Sequence, residues 1–431
     1  MRERATGMNG FTAFTWNTDL CQTGIKQSEI QLVASRAPSR LGRKVDTRSN
    51  VRLLSHAFSE KALKNYEPRI CNLIDTWIEC LGAEAEKGDR CVDLGEWCNY
   101  LIFDILGDLG YGQSFGLTTQ DGDRSIVGLV PKATAGWTSL GYHPFTKILR
   151  WILFKTRLGP IIGGQSLHDN GRFRDFCLQK LKARRQAWAQ DISTEKRSTD
   201  MFEYLLNGRD PETGQSYTLG DLACESVLLM VAGSQSTSGA LSATFFYLAH
   251  HPLALSKLRH EIHTTFPDPS KIHYIHSNPL GTLPYLRACI DESLRLSPPT
   301  PGHLPREIVG EGLVIDGCMY PPGTNVGVSP YAIHRTEVFR DPHSFVPERW
   351  LDAGHALGTG FHPFSAGATG CPGRQLAIME LSLTVARLLW KFDLLVVSGT
   401  GVRIGDVEYR MRDFFVGEGA GPRLQLVLCP P

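Results

Sequence analysis

Apolar residues recur at three- and four-residue steps along most of the chain, the spacing of helices that bury one face. Leu53, Leu54, Phe58, Leu63, Ile70, Leu73, Ile74 and Ile78 predict two successive helices, the second opening near Pro68. A further helix runs from Trp97 through Ile105 and gives way to a loop marked by Gly107, Gly110, Gly112 and Gly116. Two or three helical segments fill positions 131–200, with the basic runs LKARRQAW and TEKRS read as solvated faces. The apolar and aromatic residues there, among them Trp137, Tyr142, Phe145, Trp151 and Phe154, suit either a ligand pocket or a membrane-facing surface.

Asp221 to His250 reads as one long helix, apolar on most sides and opened at its middle by the polar cluster Gly233 to Ser238. That cluster argues for burial in protein rather than in lipid. His251-Pro252 restarts an amphipathic helix, and Leu283 begins another that carries Glu292 and Arg295. Short β-like runs follow, with Val314, Ile315 and Val326, Val328 as strands of a small sheet of hairpins. The last helix shows Leu376, Met379, Leu383, Ala386 and Trp390 on one face, and FDLLVVSG with RLQLVLCPP forms a closing hairpin. The fold class is mainly α with a small β portion. Residues 1–50 are polar and poorly periodic, which predicts a loosely structured segment ahead of a domain at 51–431.

Composition narrows the function. A chain of 431 residues that is 42% hydrophobic supplies a sizeable core. The net charge of +1, from 45 basic and 44 acidic residues, predicts no nucleic-acid partner. Eleven cysteines stand singly, which favours a reducing compartment over a disulfide framework. Neither a run of about 18 apolar residues nor a signal-peptide core marks the N-terminus, so no membrane anchor is read there.

The chemistry centres on FHPFSAGATGCPGRQLAIMEL at 361–381. Gly358, Gly360, Gly367 and Gly370 keep the backbone irregular before Cys371, and Pro372 suits a first helical position. Cys371 is therefore expected as the helix N-cap, where the macrodipole and unpaired N–H groups lower a thiol's pKa and prepare it for a metal. Gly373 leaves room for a flat ligand near the backbone, and Phe364 is placed to pack on the sulfur side. Taken alone, the loop also fits an ordinary thiol beside a glycine-rich turn. Hydroxyls at the centre of the 221–250 helix either hold water beside a reactive group or permit close helix packing. Glu292 and Arg295 share a helix face, and Arg349 of PERW is a candidate third partner.

Phe364, Gly367, Cys371 and Gly373, in the frame F-x-x-G-x-x-x-C-x-G, resemble the haem-binding loop of the cytochrome P-450 superfamily. AGSQSTS at 232–238, E-x-x-R at Glu292 and Arg295, and PERW with Arg349 match further family elements in order, and LLSHAFSEKAL and FDILGDL are similar to fungal members. The resemblance covers roughly positions 51–428. It implies a haem cofactor with Cys371 as axial thiolate, Arg306 as a propionate ligand, and Glu292, Arg295 and Arg349 as a structural network. It implies proton delivery by Ser236 at the alcohol position, Gln235 at the acid position, Thr237 and water. The implied reaction inserts one oxygen atom from O2 into a hydrophobic small molecule, in secondary-metabolite biosynthesis, with electrons from an NADPH-dependent reductase. A haem-thiolate rearrangement, cyclisation or desaturation enzyme is the alternative, as is a truncated haem-binding protein without catalysis.

Three positions depart from the family pattern. Thr369 replaces a propionate-binding arginine, Val51 stands where another cation belongs, beside Arg48 and Arg52, and Gln235 replaces an acid. Fewer cations on the propionates predict weaker haem retention. The resemblance also implies a start shortened relative to the family, lacking part of the N-terminal sheet and the pocket roof. Members of this type work at the endoplasmic reticulum membrane, and without an anchor the expected location is the cytoplasm.

Overall fold

The computed structural model describes residues 57–87, 91–142, 145–156, 159–190, 200–209, 214, 216–275, 280–352, 360–367, 370–397 and 408–429. The expected loose segment at 1–50, with Arg48, Val51, Arg52, Leu53, Leu54, Gly358 and Thr369, lies outside the described residues.

In chain order the elements are α1 (Glu60–Lys87), β1 (Cys91–Asp93), α2 (Leu94–Tyr111), α3 (Leu129–Tyr142), α4 (Thr146–Lys155), α5 (Gly159–Gln190) and α6 (Met201–Asn207). They continue with α7 (Leu219–His250), α8 (Pro252–Thr265), α9 (Pro284–Leu296), β2 (Arg306–Glu307), β3 (Leu313–Ile315), β4 (Cys318–Tyr320) and β5 (Asn325–Val326). The chain closes with α10 (Pro330–Ile333), α11 (Arg349–Asp352), α12 (Arg374–Lys391), β6 (Phe392–Val396), β7 (Met411–Phe414), β8 (Val416–Gly419) and β9 (Arg423–Leu428). The protein is mainly helical with small sheets, as the apolar spacing predicts.

Two helices differ from expectation. Pro68 does not open a second helix but lies inside α1. An interior proline costs about 3 kcal/mol. Tyr66, Ile70, Ile74, Trp77 and Leu81 are all fully buried along the same face. Each such burial contributes roughly 1.5–3 kcal/mol, so packing outweighs the proline. The second is α7, which runs unbroken through the polar cluster. Its hydroxyls turn back on the helix: Ser236 Oγ donates to Ala232 O at 2.6 Å, Ser242 to Ser238 O at 2.8 Å and Thr244 to Ala240 O at 2.8 Å. Hydroxyls satisfied in this way need no opened backbone.

A capping box starts α7, Thr218 and Asp221 each serving the other's backbone N–H. The helix then packs along α2. At Gly233 an added Cβ would come within 3.0 Å of Leu106, and Ser238 Oγ donates to Asn99 Oδ1 at 2.7 Å. α2 itself is opened by Asp93, whose side chain accepts from Glu96 N, and is closed by Gly112 at φ 74°. The two helices form the centre against which α12, α9 and the sheets are placed.

Arg306 and Glu307 pair with Val326 and Asn325, while β3 pairs separately with β4. The expected single hairpin sheet is thus two short ribbons, and Val328 falls beyond β5. The two closing strands pair antiparallel, β6 on β9 with β1 on the other edge of β9, but not as the expected hairpin, because β7 and β8 lie between them in the chain. Between them the β7–β8 hairpin reaches back to the helices, Gly417 N donating to Pro299 O at 2.8 Å. Among the described residues nine cysteines are free thiols. Among the described residues no helix is long and apolar enough to cross a membrane.

Candidate functional site

A dense buried polar network is built on Glu292. Its Oε1 accepts from Arg295 Nη2 at 2.8 Å and Arg349 Nε at 3.1 Å, and its Oε2 from Arg295 Nε at 2.9 Å. The Val346 N–H and the Trp350 indole N–H, each at 2.9 Å, complete the carboxylate's shell. Arg295 spends its remaining donors on the carbonyls of His334, Pro342 and Ser344. Glu292 and Arg295 are both 0% exposed. A buried ion pair is tolerated when every donor and acceptor is used, and here the fork and the carboxylate are filled. The structure thus brings Glu292, Arg295 and Arg349 together. Trp350 and His334 belong to the same network, and only PERW hinted at the first.

This network reaches the cysteine loop through His334. The Nε2 of that fully buried imidazole accepts the His362 N–H at 3.0 Å, and its Nδ1 lies 3.2 Å from Arg295 O. Burial pushes the imidazole's pKa down to about 4, Arg295 being a nearby cation. From His362 the chain turns through Ser365 at φ 59° and Gly367 at φ 68°, left-handed values that only glycine adopts freely. Cys371 N donates to Phe364 O at 2.9 Å, and Gly370 N to Gly367 O at 3.1 Å. Phe364 packs on the core under the Arg374 guanidinium.

Cys371 is not the N-cap of α12. Gly373 holds that position and Arg374 begins the helix, because Pro372 and Gly373 form a turn in which Arg374 N reaches Cys371 O at 3.4 Å. Nor is the free thiol's pKa lowered. Burial raises it, and the Gly373 N–H and the Arg374 charge offset only part of that. Cys371 remains solvent-accessible and free. A Cβ added at Gly373 would stand 4.0 Å from the Cys371 sulfur and 3.6 Å from Phe58. Glycine therefore keeps clear the space beside the sulfur. A free thiol on an exposed residue, supported by a backbone N–H and flanked by a side-chain-free step, suits a residue that would hold the iron of a planar macrocycle.

On α7, Gln235 and Ser236 are partly exposed, as are Gly233 and Gly239 near them, whereas Thr237 and Ser234 are buried. Turned one residue on the helix, Thr237 lies on a different face from Ser236. Gly239 faces the β7–β8 hairpin, where its Cβ position is 3.8 Å from Gly417 O. Arg306 sits half-buried on β2, its guanidinium donating to Leu304 O and Pro305 O at 3.1 Å. Burial lowers its pKa.

A family model described as Cytochrome P450 matches residues 39–408. The chain is 32% identical over 380 residues to the cytochrome P450 monooxygenase poxM of Penicillium oxalicum, covering 87% of this chain and 71% of the relative. It is 33% identical over 383 residues to the cytochrome P450 monooxygenase fscF of Fusarium equiseti, covering 86% and 71% respectively. Among solved structures, a cytochrome P450 (CYP102L1) superposes with a TM-score of 0.71 at 20% identity, over 93% of this chain and 83% of that one. The haem domain of cytochrome P450DA gives 0.70 at 20% identity, over 88% and 77%.

Proposed function

The chain belongs to the cytochrome P450 family and is a haem-thiolate monooxygenase, and we propose that its substrate is a hydrophobic small molecule of secondary metabolism. Members of the family use a small-molecule substrate, O2 and a redox partner. In this reading the partner is an NADPH-dependent reductase at the endoplasmic reticulum membrane, and residues 51–431 act as one haem-thiolate domain. The relatives named above are fungal monooxygenases, which supports the substrate class.

When bound, haem supplies the oxygen activation, with thiolate electron donation favouring O–O cleavage. The chain's own part is ligation, proton movement and placement. Cys371 Sγ would hold the haem iron as a thiolate, its negative charge steadied by the Gly373 N–H. Phe364 and Gly367 shape the loop, and Arg306 offers a cation for a cofactor carboxylate. The Ser236 hydroxyl, now turned onto Ala232 O, rotates to pass a proton from water. Gln235 orders that water without releasing a proton of its own, and Thr237 backs it from the buried side. Glu292, Arg295 and Arg349 hold the frame.

The observation that carries this reading is the free thiol of the exposed Cys371 with Gly373 beside it, in a loop tied to the buried Glu292 network. Reduced, haem-loaded protein exposed to carbon monoxide should show the displaced thiolate band, and Cys371→Ser should lose it. With O2 labelled as ¹⁸O, one labelled atom should enter the product. A normal band with unlabelled product would instead favour rearrangement, cyclisation or desaturation, the reading that Gln235 in place of an acid supports.

A further inference from the structure

Away from the cysteine loop, three side chains of metal-binding type converge between α1 and the segment that follows α8. Glu67 and Cys71 stand one turn apart on α1, so they share a face. His273 comes from the loop at 272–275. One ligand atom from each lies within 4.8 Å of the other two. The His273 Nδ1 is 3.6 Å from Glu67 Oε1. In a tetrahedral zinc site with bonds of about 2.0–2.3 Å, donor atoms stand roughly 3.3–3.8 Å apart. The histidine and carboxylate already have that spacing, and the sulfur needs only a small side-chain adjustment to join them.

The surroundings favour a fixed site. Glu67 is fully buried and Cys71 is 5% exposed. Glu67 is oriented by the Tyr274 and Ile275 N–H groups, which also pin the loop that carries His273. The neighbouring cation, Arg387, is paired with Asp75 and donates to Ile272 O. Glu67 and a Cys71 thiolate together neutralise a dication. The His273 side chain is 30% exposed, and a three-residue zinc site takes water as its fourth ligand. Cysteine, histidine and one carboxylate suit zinc better than the hard cations, which prefer oxygen alone.

We propose that Glu67, Cys71 and His273 form a zinc site that clips α1 to the loop leading into α9, the helix of Glu292 and Arg295. The site is independent of the haem reading.

The test uses the haem-loaded full chain, stripped with chelator, mixed with zinc chloride and passed through a desalting column. Zinc and haem should elute in equal amounts. X-ray absorption at the zinc edge, which iron does not obscure, should show one sulfur at about 2.3 Å among nitrogen and oxygen ligands at about 2.0–2.2 Å. Cys71→Ser and His273→Ala should each bring zinc down to the buffer background while the carbon-monoxide spectrum stays unchanged. His273 is partly exposed, so its variant keeps the test sound should the buried Cys71 variant fail to fold. Failure to retain zinc overturns the proposal. So does retention in both variants, which would assign the metal to surface groups such as the exposed Cys318, or a spectrum without sulfur.

Discussion

The His362 backbone N–H donates to Nε2 of His334 at 3.0 Å, so a single imidazole joins the buried Glu292–Arg295 pair to the chain entering the cysteine loop. Because Nε2 accepts, the ring proton resides on Nδ1 and points at Arg295 O, 3.2 Å away. Both ring nitrogens are used only when the ring is neutral, since an imidazolium has no acceptor. The position of the loop is thereby linked to the protonation state of a residue outside the loop.

Acid should therefore loosen the loop. The folded state holds His334 neutral down to about pH 4, whereas the unfolded chain takes up a proton near the ordinary value of 6.5. Stability falls as pH drops through that window, by up to about 1.4 kcal/mol per unit. Urea titrations between pH 4 and 7 should show a steeper acid loss in the wild type than in His334→Gln. Equal slopes would remove His334 from the link.

Truncating the carboxylate at the centre of the network should be far worse than altering its rim. Glu292→Ala leaves Arg295 buried without its counter-charge, a loss of roughly 3–5 kcal/mol. Arg295→Lys keeps the charge but loses the fork that meets both Glu292 oxygens and three carbonyls. Arg349→Lys should cost less, because Arg349 gives Glu292 only one donor. Denaturation midpoints ordered otherwise would mean that the pair is not the central support.

This network was legible in the sequence as separate words, E-x-x-R and PERW, but its closure was not. Three of Arg295's acceptors are carbonyls 39, 47 and 49 residues distant, and backbone acceptors leave no trace in side-chain pattern. His334 was missed for the same reason. It stands in a short irregular stretch, and nothing local separates a buried bridging histidine from a surface one. Long helices were read correctly, since burial on one face writes itself into spacing. Pro68 and the α7 polar cluster misled because local rules were overruled, by continuous packing in α1 and by hydroxyl back-bonding in α7.

Gly373→Ala separates ligand accommodation from folding. Gly373 has φ −83°, which any residue adopts, and the nearest atoms to an added methyl would be those of Phe58 at 3.6 Å and the Cys371 sulfur at 4.0 Å, ordinary contact distances. The apo-protein should unfold within about 0.5 kcal/mol of wild type, as unstrained substitutions do. Haem content per chain should nevertheless fall, because the methyl occupies the space beside the sulfur. Full haem occupancy in the variant would show that the glycine is not there for the cofactor.

The proton path makes a paired prediction. Ser236→Ala should lower product formed per NADPH consumed while the carbon-monoxide band remains, since a positioned proton donor contributes roughly 10²–10⁴-fold. Gln235→Glu restores an acid on the same partly exposed part of α7 and should raise that yield. If Ser236→Ala changes nothing, its hydroxyl serves only Ala232 O and water carries the proton alone.

Glu380 supplies a pH dependence of the opposite sign. It is 2% exposed, and neither its Oε1 nor the Thr384 Oγ1 one turn along α12 has a hydrogen-bond partner among the described residues. Burial pushes its carboxyl up to about 8, from 4.5. Between those values the folded chain holds a proton that the unfolded chain has released. Stability therefore falls as pH rises from 4.5 to about 8, by up to about 1.4 kcal/mol per unit, and levels off above. Glu380→Gln keeps the shape and removes the titration. Its stability relative to wild type should climb steadily with pH across that window, measured by urea denaturation at unit steps. A difference that stays flat would mean that the carboxyl is charged and paired in solution, with water or an ion filling the gap between Glu380 and Thr384.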